Sequence, residues 1–228
     1  GAAIIGNLHN TVSGTLNIHG APLNSVGGIA GNNHTNLLFG NYMNTSGTTV
    51  LDIRNGQGSG SQNMTLNIAA PGSIAIGPGR QINFSVFMTG SSDITVSGGG
   101  TLKLTPSGAG SINSYSGAIT VANGSLVAGN AGAFRNAAPF NVITLGSTPA
   151  NNGNLKMNGF SFSLGGLSSA GTGASNTVDN GTVNTTLTIN TPNASTFLFG
   201  GSLNNGARGV LNLEKSGAGT QTLGGHNN

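Results

Sequence analysis

The sequence predicts an all-β chain wound as a solenoid, and three observations carry that prediction. Short apolar pairs recur with one small or polar residue between their members, as in Leu102-Lys103-Leu104 and Ile119-Thr120-Val121. Turn-forming stretches separate them, and 41 of the 228 residues are glycine. Charged residues make up only 5% of the chain, against roughly 25% in ordinary soluble domains. A strand with two inward residues cannot bury itself, whereas stacked copies of it can.

The strand signals run the length of the chain. Leu16-Asn17-Ile18, Leu51-Asp52-Ile53, Leu66-Asn67-Ile68 and Ile74-Ala75-Ile76 fill the first third. Ile82 to Val86, Ile94-Thr95-Val96, Leu102 to Leu104, Ile119 to Val121 and Leu126 with Ala128 follow. Ile143 to Leu145, Leu155 to Met157, Phe160 to Leu164, Leu187 to Ile189, Phe197 to Phe199 and Leu211 to Leu213 complete the series. Each reads as a strand with one face buried and one face wet. Around Leu198 this alternation sends Phe197 and Phe199 to the core.

Asn55-Gly56, Asn123-Gly124, Asn152-Gly153, Asn180-Gly181 and Asn205-Gly206 mark tight turns, since both residue types tolerate positive φ. Such turns also suit antiparallel hairpins, but these strands are too short, and aromatic residues at 5% too few, to fill a sandwich core. No helical periodicity is sustained. Residues 168–186 carry the weakest signal and are expected to form a protruding loop. At roughly 20–25 residues per coil the chain makes about nine to eleven coils. Stacked about 4.8 Å apart, they give a rod on the order of 45–50 Å long.

No linker, charge run or shift of composition divides the chain, so residues 1–228 are expected to be a single segment. Cysteine is absent, as expected of an exported bacterial β-protein in an oxidising compartment. No run approaches the ~18 apolar residues of a membrane helix. The chain starts at Gly1 without initiator Met or signal peptide, which suggests a fragment of something longer.

The run Ser97-Gly98-Gly99-Gly100-Thr101-Leu102-Lys103-Leu104, with Asn113-Ser114-Tyr115-Ser116-Gly117 and on to Leu126, resembles the autotransporter-associated β-strand repeat. That motif belongs to large exported passenger proteins of bacteria. A second copy runs from Leu211 through Lys215-Ser216-Gly217-Ala218-Gly219-Thr220-Gln221 to Asn227 and stops before the expected Tyr and Gly. Val96 stands where the repeat carries Lys, and Gln221 where it carries an inward apolar residue. The copies align in two ways: SGGGT of 97–101 on SGAGT of 216–220, or LKLTPSGAG of 102–110 on LNLEKSGAG of 211–219. The resemblance implies a right-handed parallel β-helix that acts as a stalk or scaffold at the cell surface. The membrane barrel of a complete autotransporter has no counterpart in these residues, which fits a processed or partial chain.

The chemistry of the side chains points away from catalysis. The only carboxylates are Asp52, Asp93, Asp179 and Glu214. They read as isolated solvated charges, although Asp52 and Asp93 are close enough in sequence to lie two coils apart. His9, His19, His34 and His226 show no metal-ligand spacing, and His9 over His19 is a conceivable stack. No G-x-S-x-G elbow or phosphate loop is present, and Gly56 to Gly60 lacks the required Lys. Sequons at Asn33, Asn44, Asn63, Asn83, Asn123, Asn180, Asn184 and Asn193 follow from composition. Regular Thr-x-Thr arrays are not evident. The seven cations give a net charge of +3 but are dispersed, and nucleic-acid binding needs them clustered.

No catalytic, cofactor-binding or metal-binding residue is therefore predicted, and no cofactor. The expected function is that of a non-enzymatic extracellular rod, structural or adhesive, at the bacterial cell surface. Its expected partners are itself or surface glycans and proteins. One rival is a filament subunit stacking end to end through uncapped strand edges. Another is a carbohydrate-binding or carbohydrate-cleaving β-helix, which requires Asp52, Asp93 or Asp179 to meet an Arg or Lys in a groove.

Overall fold

The computed structural model describes residues 71–106, 112–170 and 175–227, together with seven earlier strand segments, Leu8–Asn10, Thr15–Ile18, Ile29–Gly31, Asn36–Phe39, Tyr42–Asn44, Val50–Asn55 and Thr65–Ile68. The described residues are all β, without helix, and their strands stack as a parallel β-solenoid. The longest sheet joins nine strands: β1 (Leu8–Asn10), β3 (Ile29–Gly31), β6 (Val50–Asn55), β9 (Gln81–Ser85), β12 (Thr101–Leu104), β14 (Gly124–Ala128), β16 (Gly153–Lys156), β19 (Thr177–Asp179) and β22 (Ser202–Asn204). From residue 71 onward six of these strands mark about six turns.

Two further sheets complete the early coils. One holds β2 (Thr15–Ile18), β4 (Asn36–Phe39), β7 (Thr65–Ile68) and β10 (Phe87–Gly90). The other holds β5 (Tyr42–Asn44), β8 (Gly72–Ile76), β11 (Ile94–Ser97), β13 (Ile119–Val121), β15 (Val142–Leu145) and β18 (Gly166–Ser169). In the later coils a three-stranded sheet, β17 (Phe162–Leu164), β20 (Thr185–Asn190) and β23 (Leu211–Ser216), takes the place of the four-stranded one. A pair, β21 (Thr196–Phe199) and β24 (Thr220–Leu223), follows the six-stranded one. Every pairing between these strands is parallel, so the described Asn-Gly sites, at Asn123, Asn152, Asn180 and Asn205, turn corners between sheets and do not close hairpins.

The pitch follows from the register. Gln81↔Thr101, Thr101↔Ser125, Ser125↔Asn154, Asn154↔Thr177 and Thr177↔Ser202 are offset by 20, 24, 29, 23 and 25 residues. Inward side chains consequently stack in columns. Ile82, Leu102, Leu126, Leu155, Val178 and Leu203 form one, and Ile94, Ile119, Ile143 and Leu167 another, all buried. Each such side chain contributes roughly 1.5–3 kcal/mol on burial. Period two holds because alternate strand residues face the same side.

Residues 171–174 of the stretch expected to protrude lie outside the described residues, and the rest of 168–186 is built largely into the sheets. It opens with the end of β18, contains β19 with Val178 fully buried, and runs into β20. Three-residue strands carry one inward residue, too few to show an alternation. Phe199 is buried and Leu198 exposed as the alternation requires, while Phe197 is half-buried over Gly166.

Corners need a different device, because their backbone groups fall outside the ladders. Buried asparagines supply it by bonding to the coil above or below. Asn113 accepts from Met88 N (2.8 Å) and donates to Ala133 O (2.8 Å), and so ties two neighbouring coils. Asn141 donates to Tyr115 O (3.0 Å) and Gly117 O (2.9 Å). Asn176 accepts from Gly153 N (2.8 Å), and Asn180 accepts from Gly206 N. Asn180 is thus fully buried, which removes it from the possible sugar-carrying sequons.

The S-G-x-G-T corners at 97–101 and 216–220 are built alike, while residues 107–110 of the other alignment lie outside the described residues. Gly100 N donates to Ile76 O (2.8 Å) and Thr101 N to Arg80 O (2.9 Å). In the second copy Gly219 N donates to Thr191 O (3.1 Å) and Thr220 N to Ser195 O (2.8 Å). Gly98 and Gly217 open these corners with φ of 92° and 70°. A Cβ on either would strike the carbonyl of Ile76 or Thr191 beneath it, so only glycine fits. SGGGT and SGAGT thus share this corner geometry, although the two corners join different pairs of sheets.

Gln221 closes a gap between sheets. Its carboxamide accepts from Leu167 N (3.0 Å) and donates to Leu167 O (2.8 Å). Those are the ladder groups of β18, the last strand of the six-stranded sheet. The side chain thus stands in for a missing strand.

Replacing Asn141 by Ala leaves two buried carbonyls without their donor and is expected to cost about 2–4 kcal/mol. Urea denaturation checks this: the midpoint falls while the slope stays that of the parent.

Candidate functional site

Register decides which charges meet. Asp52 and Asp179 both lie on the nine-stranded sheet, but five strands apart, about 24 Å at ~4.8 Å per strand. Asp179 neighbours Lys156 and Asn204 in register, and its carboxylate accepts from Gly181 N (2.7 Å). Asp93 sits at a different corner, before β11, where Ala118 N donates to it (2.9 Å). The three aspartates are therefore dispersed and do not gather in a groove. His19, His34 and the run Gly56 to Gly60 lie outside the described residues, and His226 is exposed. Among the described residues no group of three or more His, Cys, Asp or Glu is placed to hold a metal ion.

The acid that does share a groove with an arginine is Glu214. On β17, β20 and β23 the register aligns Ser163↔Thr188↔Glu214. Two residues earlier, Thr186 pairs with Asn212, and Thr186 N donates to Ser161 Oγ (2.9 Å). The outer face of this sheet is thus two parallel columns, Ser161–Thr186–Asn212 and Ser163–Thr188–Glu214. Thr188 Oγ1 donates to Glu214 Oε2 across 3.3 Å. These columns are a local S-x-S over T-x-T array that appears only once the coils are stacked.

The wall of the groove comes from the coil beneath. After β14 the chain forms no strand of this sheet; residues 129–141 run as an irregular segment below β17. Arg135 is fixed on that segment by three carbonyls: Nε donates to Ala137 O (2.9 Å), Nη1 to Ser114 O (2.8 Å) and Nη2 to Ala138 O (3.2 Å). Phe134 is buried behind it, with its ring centroid 4.5 Å from that of half-buried Phe162. Together with Asn136, these residues and the two columns, Asn212 excepted, line a groove of about 440 Å³.

The groove brings hydroxyls, one carboxylate, one guanidinium and an aromatic ring to one surface. Such a set can hold a ligand by hydrogen bonds and ring contact. It contains a single carboxylic acid, whereas glycoside hydrolysis ordinarily uses two flanking the bond that breaks. Sequence reading missed it because Arg135, Ser163, Thr188 and Glu214 come from four coils. The only signal was the 25- and 26-residue spacing of Ser163, Thr188 and Glu214.

No protein-family model, curated protein sequence or solved structure matches this chain. The groove and the fold that carries it are accordingly read from their own chemistry.

Asp93 has a second consequence at its corner. Tyr115 is buried beside it, and its hydroxyl reaches Ser92 O (2.8 Å) and Ala118 O (3.1 Å). Burial first, and the nearby Asp93 charge second, push the phenol well above its ordinary value, against a smaller opposing effect of hydrogen bonding at the Ile94 backbone. The folded chain keeps this proton where the unfolded chain loses it. Stability from Tyr115 is therefore complete below about pH 10 and declines as pH rises past it. Tyr115→Phe is expected to flatten that alkaline decline, as read by melting temperature from pH 8 to pH 11. The variant should also lose about 1–3 kcal/mol at neutral pH through the Ser92 carbonyl it leaves without the Tyr115 donor, Ala118 O keeping its bond from Ile94 N.

Proposed function

We propose that this chain is a non-enzymatic rod, structural or adhesive, from the exported part of a larger bacterial cell-surface protein. The observation that carries the reading is the nine-strand parallel ladder, whose strand spacing sets a length and whose outer faces are mostly Ser, Thr and Asn. We take the winding to be right-handed, with about nine to eleven coils and a column on the order of 45–50 Å long. The absence of cysteine and the likeness of 97–126 and 211–220 to the autotransporter-associated repeat support export. A chain with so few charges and so many stacked backbone bonds resists unfolding locally, which suits a stalk outside the cell. Small-angle scattering and protease digestion test this. An elongated profile and a trypsin-resistant body extending over 112–227 are expected; a spherical profile, or rapid cutting at Arg135 and Lys156, would count against it.

A second reading, a filament subunit stacking end to end, draws on the last described coil. There Leu213 and Val210 are exposed and Leu211 is half covered, a surface that another coil would bury. That coil would come from further chain or from a second copy. Electron microscopy of residues 1–228 separates the two: rods that lengthen with concentration support the filament, and rods of fixed length remove it.

A further inference from the structure

We propose that the groove over β17, β20 and β23 binds a neutral oligosaccharide lying along the solenoid axis. This goes beyond the rod reading and does not depend on it. The two outward columns put hydroxyls at about 4.8 Å intervals along the axis and about 7 Å across it. Each Ser or Thr hydroxyl donates one hydrogen bond and accepts others, and a sugar hydroxyl has the same dual capacity. The columns therefore match a ligand with many hydroxyls along its length. Ser163 and Thr186 have no side-chain hydrogen-bond partner among the described residues, and so their hydroxyls are available to one.

The charges narrow the class. Glu214 only accepts and Arg135 only donates, and both line the same groove. Their opposite signs disfavour a strongly anionic or cationic ligand. Three of the five Arg135 N–H groups already serve carbonyls of the chain, so the guanidinium is held rigid with little left to clamp a phosphate or carboxylate. Phe162 adds a half-exposed ring against which the C–H face of a sugar packs. The groove offers one carboxylate where glycoside hydrolysis ordinarily uses two, so it binds the chain of sugars and leaves its bonds intact.

The test is an NMR titration of the full 228-residue chain, labelled with ¹⁵N, with cellohexaose, maltohexaose and hexagalacturonate as probes. At least one neutral hexamer is expected to give saturable shifts below about 10 mM, the weak range for an open groove. The shifts should concentrate at the amides of Ser163, Thr188, Glu214 and Arg135, and hexagalacturonate should bind at least about tenfold more weakly than that hexamer. Glu214→Ala should weaken binding about tenfold and Ser163→Ala about threefold, the scale of one charged and one neutral hydrogen bond. Both side chains face outward, so unchanged melting temperatures verify the fold; should Glu214→Ala melt early, Ser163→Ala alone decides. Absence of saturable shifts with both neutral probes overturns the proposal. So do shifts mapping to another face, equal affinity in the variants, or tighter binding of hexagalacturonate.

Discussion

Parallel stacking in register is the constraint on which the rest of this molecule depends. A parallel ladder satisfies backbone groups only along the strands, and each coil must then turn three corners without leaving buried N–H or C=O groups alone. Here the corners are served by the neighbouring coil. Asn113, Asn141, Asn176 and Asn180 reach 20–26 residues along the chain, which is one coil, to a backbone group at the matching corner. Glycines admit the close approach where a side chain would collide, as at Gly98 and Gly217. The unusual composition follows: asparagine for its paired donor and acceptor, glycine for its missing Cβ, and few charges because burial between coils would strand them.

That constraint also explains why a polar side chain is needed where one sheet ends. The amide of Gln221 reproduces the hydrogen bonds of an absent strand on Leu167. A leucine there would leave the N–H and C=O of Leu167 facing no partner. The handover from the six-stranded sheet to β21 and β24 is therefore held together by a side chain, at the point where the backbone register breaks.

Much of the architecture was legible in the sequence, and its limits were physical. Pairs such as Leu102 with Leu104 or Ile119 with Val121 declare a strand because two inward residues flank an outward one. β19 and β22 contribute single buried residues, Val178 and Leu203, amid Gly, Ser and Asn, so no period could form. Corner asparagines were invisible for another reason: an Asn that staples two coils and an Asn on a wet turn have the same neighbours in sequence. The candidate site was the least legible part. The acids that looked promising, Asp52 and Asp93, were judged by distance along the chain, whereas proximity in a solenoid is set by register modulo one coil.

The same logic separates what holds the rod from what it presents. Inward residues answer to columns that run through many coils, so each is constrained by its neighbours above and below. Outward residues such as Ser163, Thr188 and Glu214 share those columns geometrically but bear little of the packing. They are free to be chosen for a ligand, and their spacing is supplied in advance by the backbone. What singles out this sheet is the segment 129–141, which forgoes a strand and instead carries Arg135 beside the edge of β17. Giving up a strand there costs a rung of the ladder and turns a flat hydroxyl face into a groove with a wall.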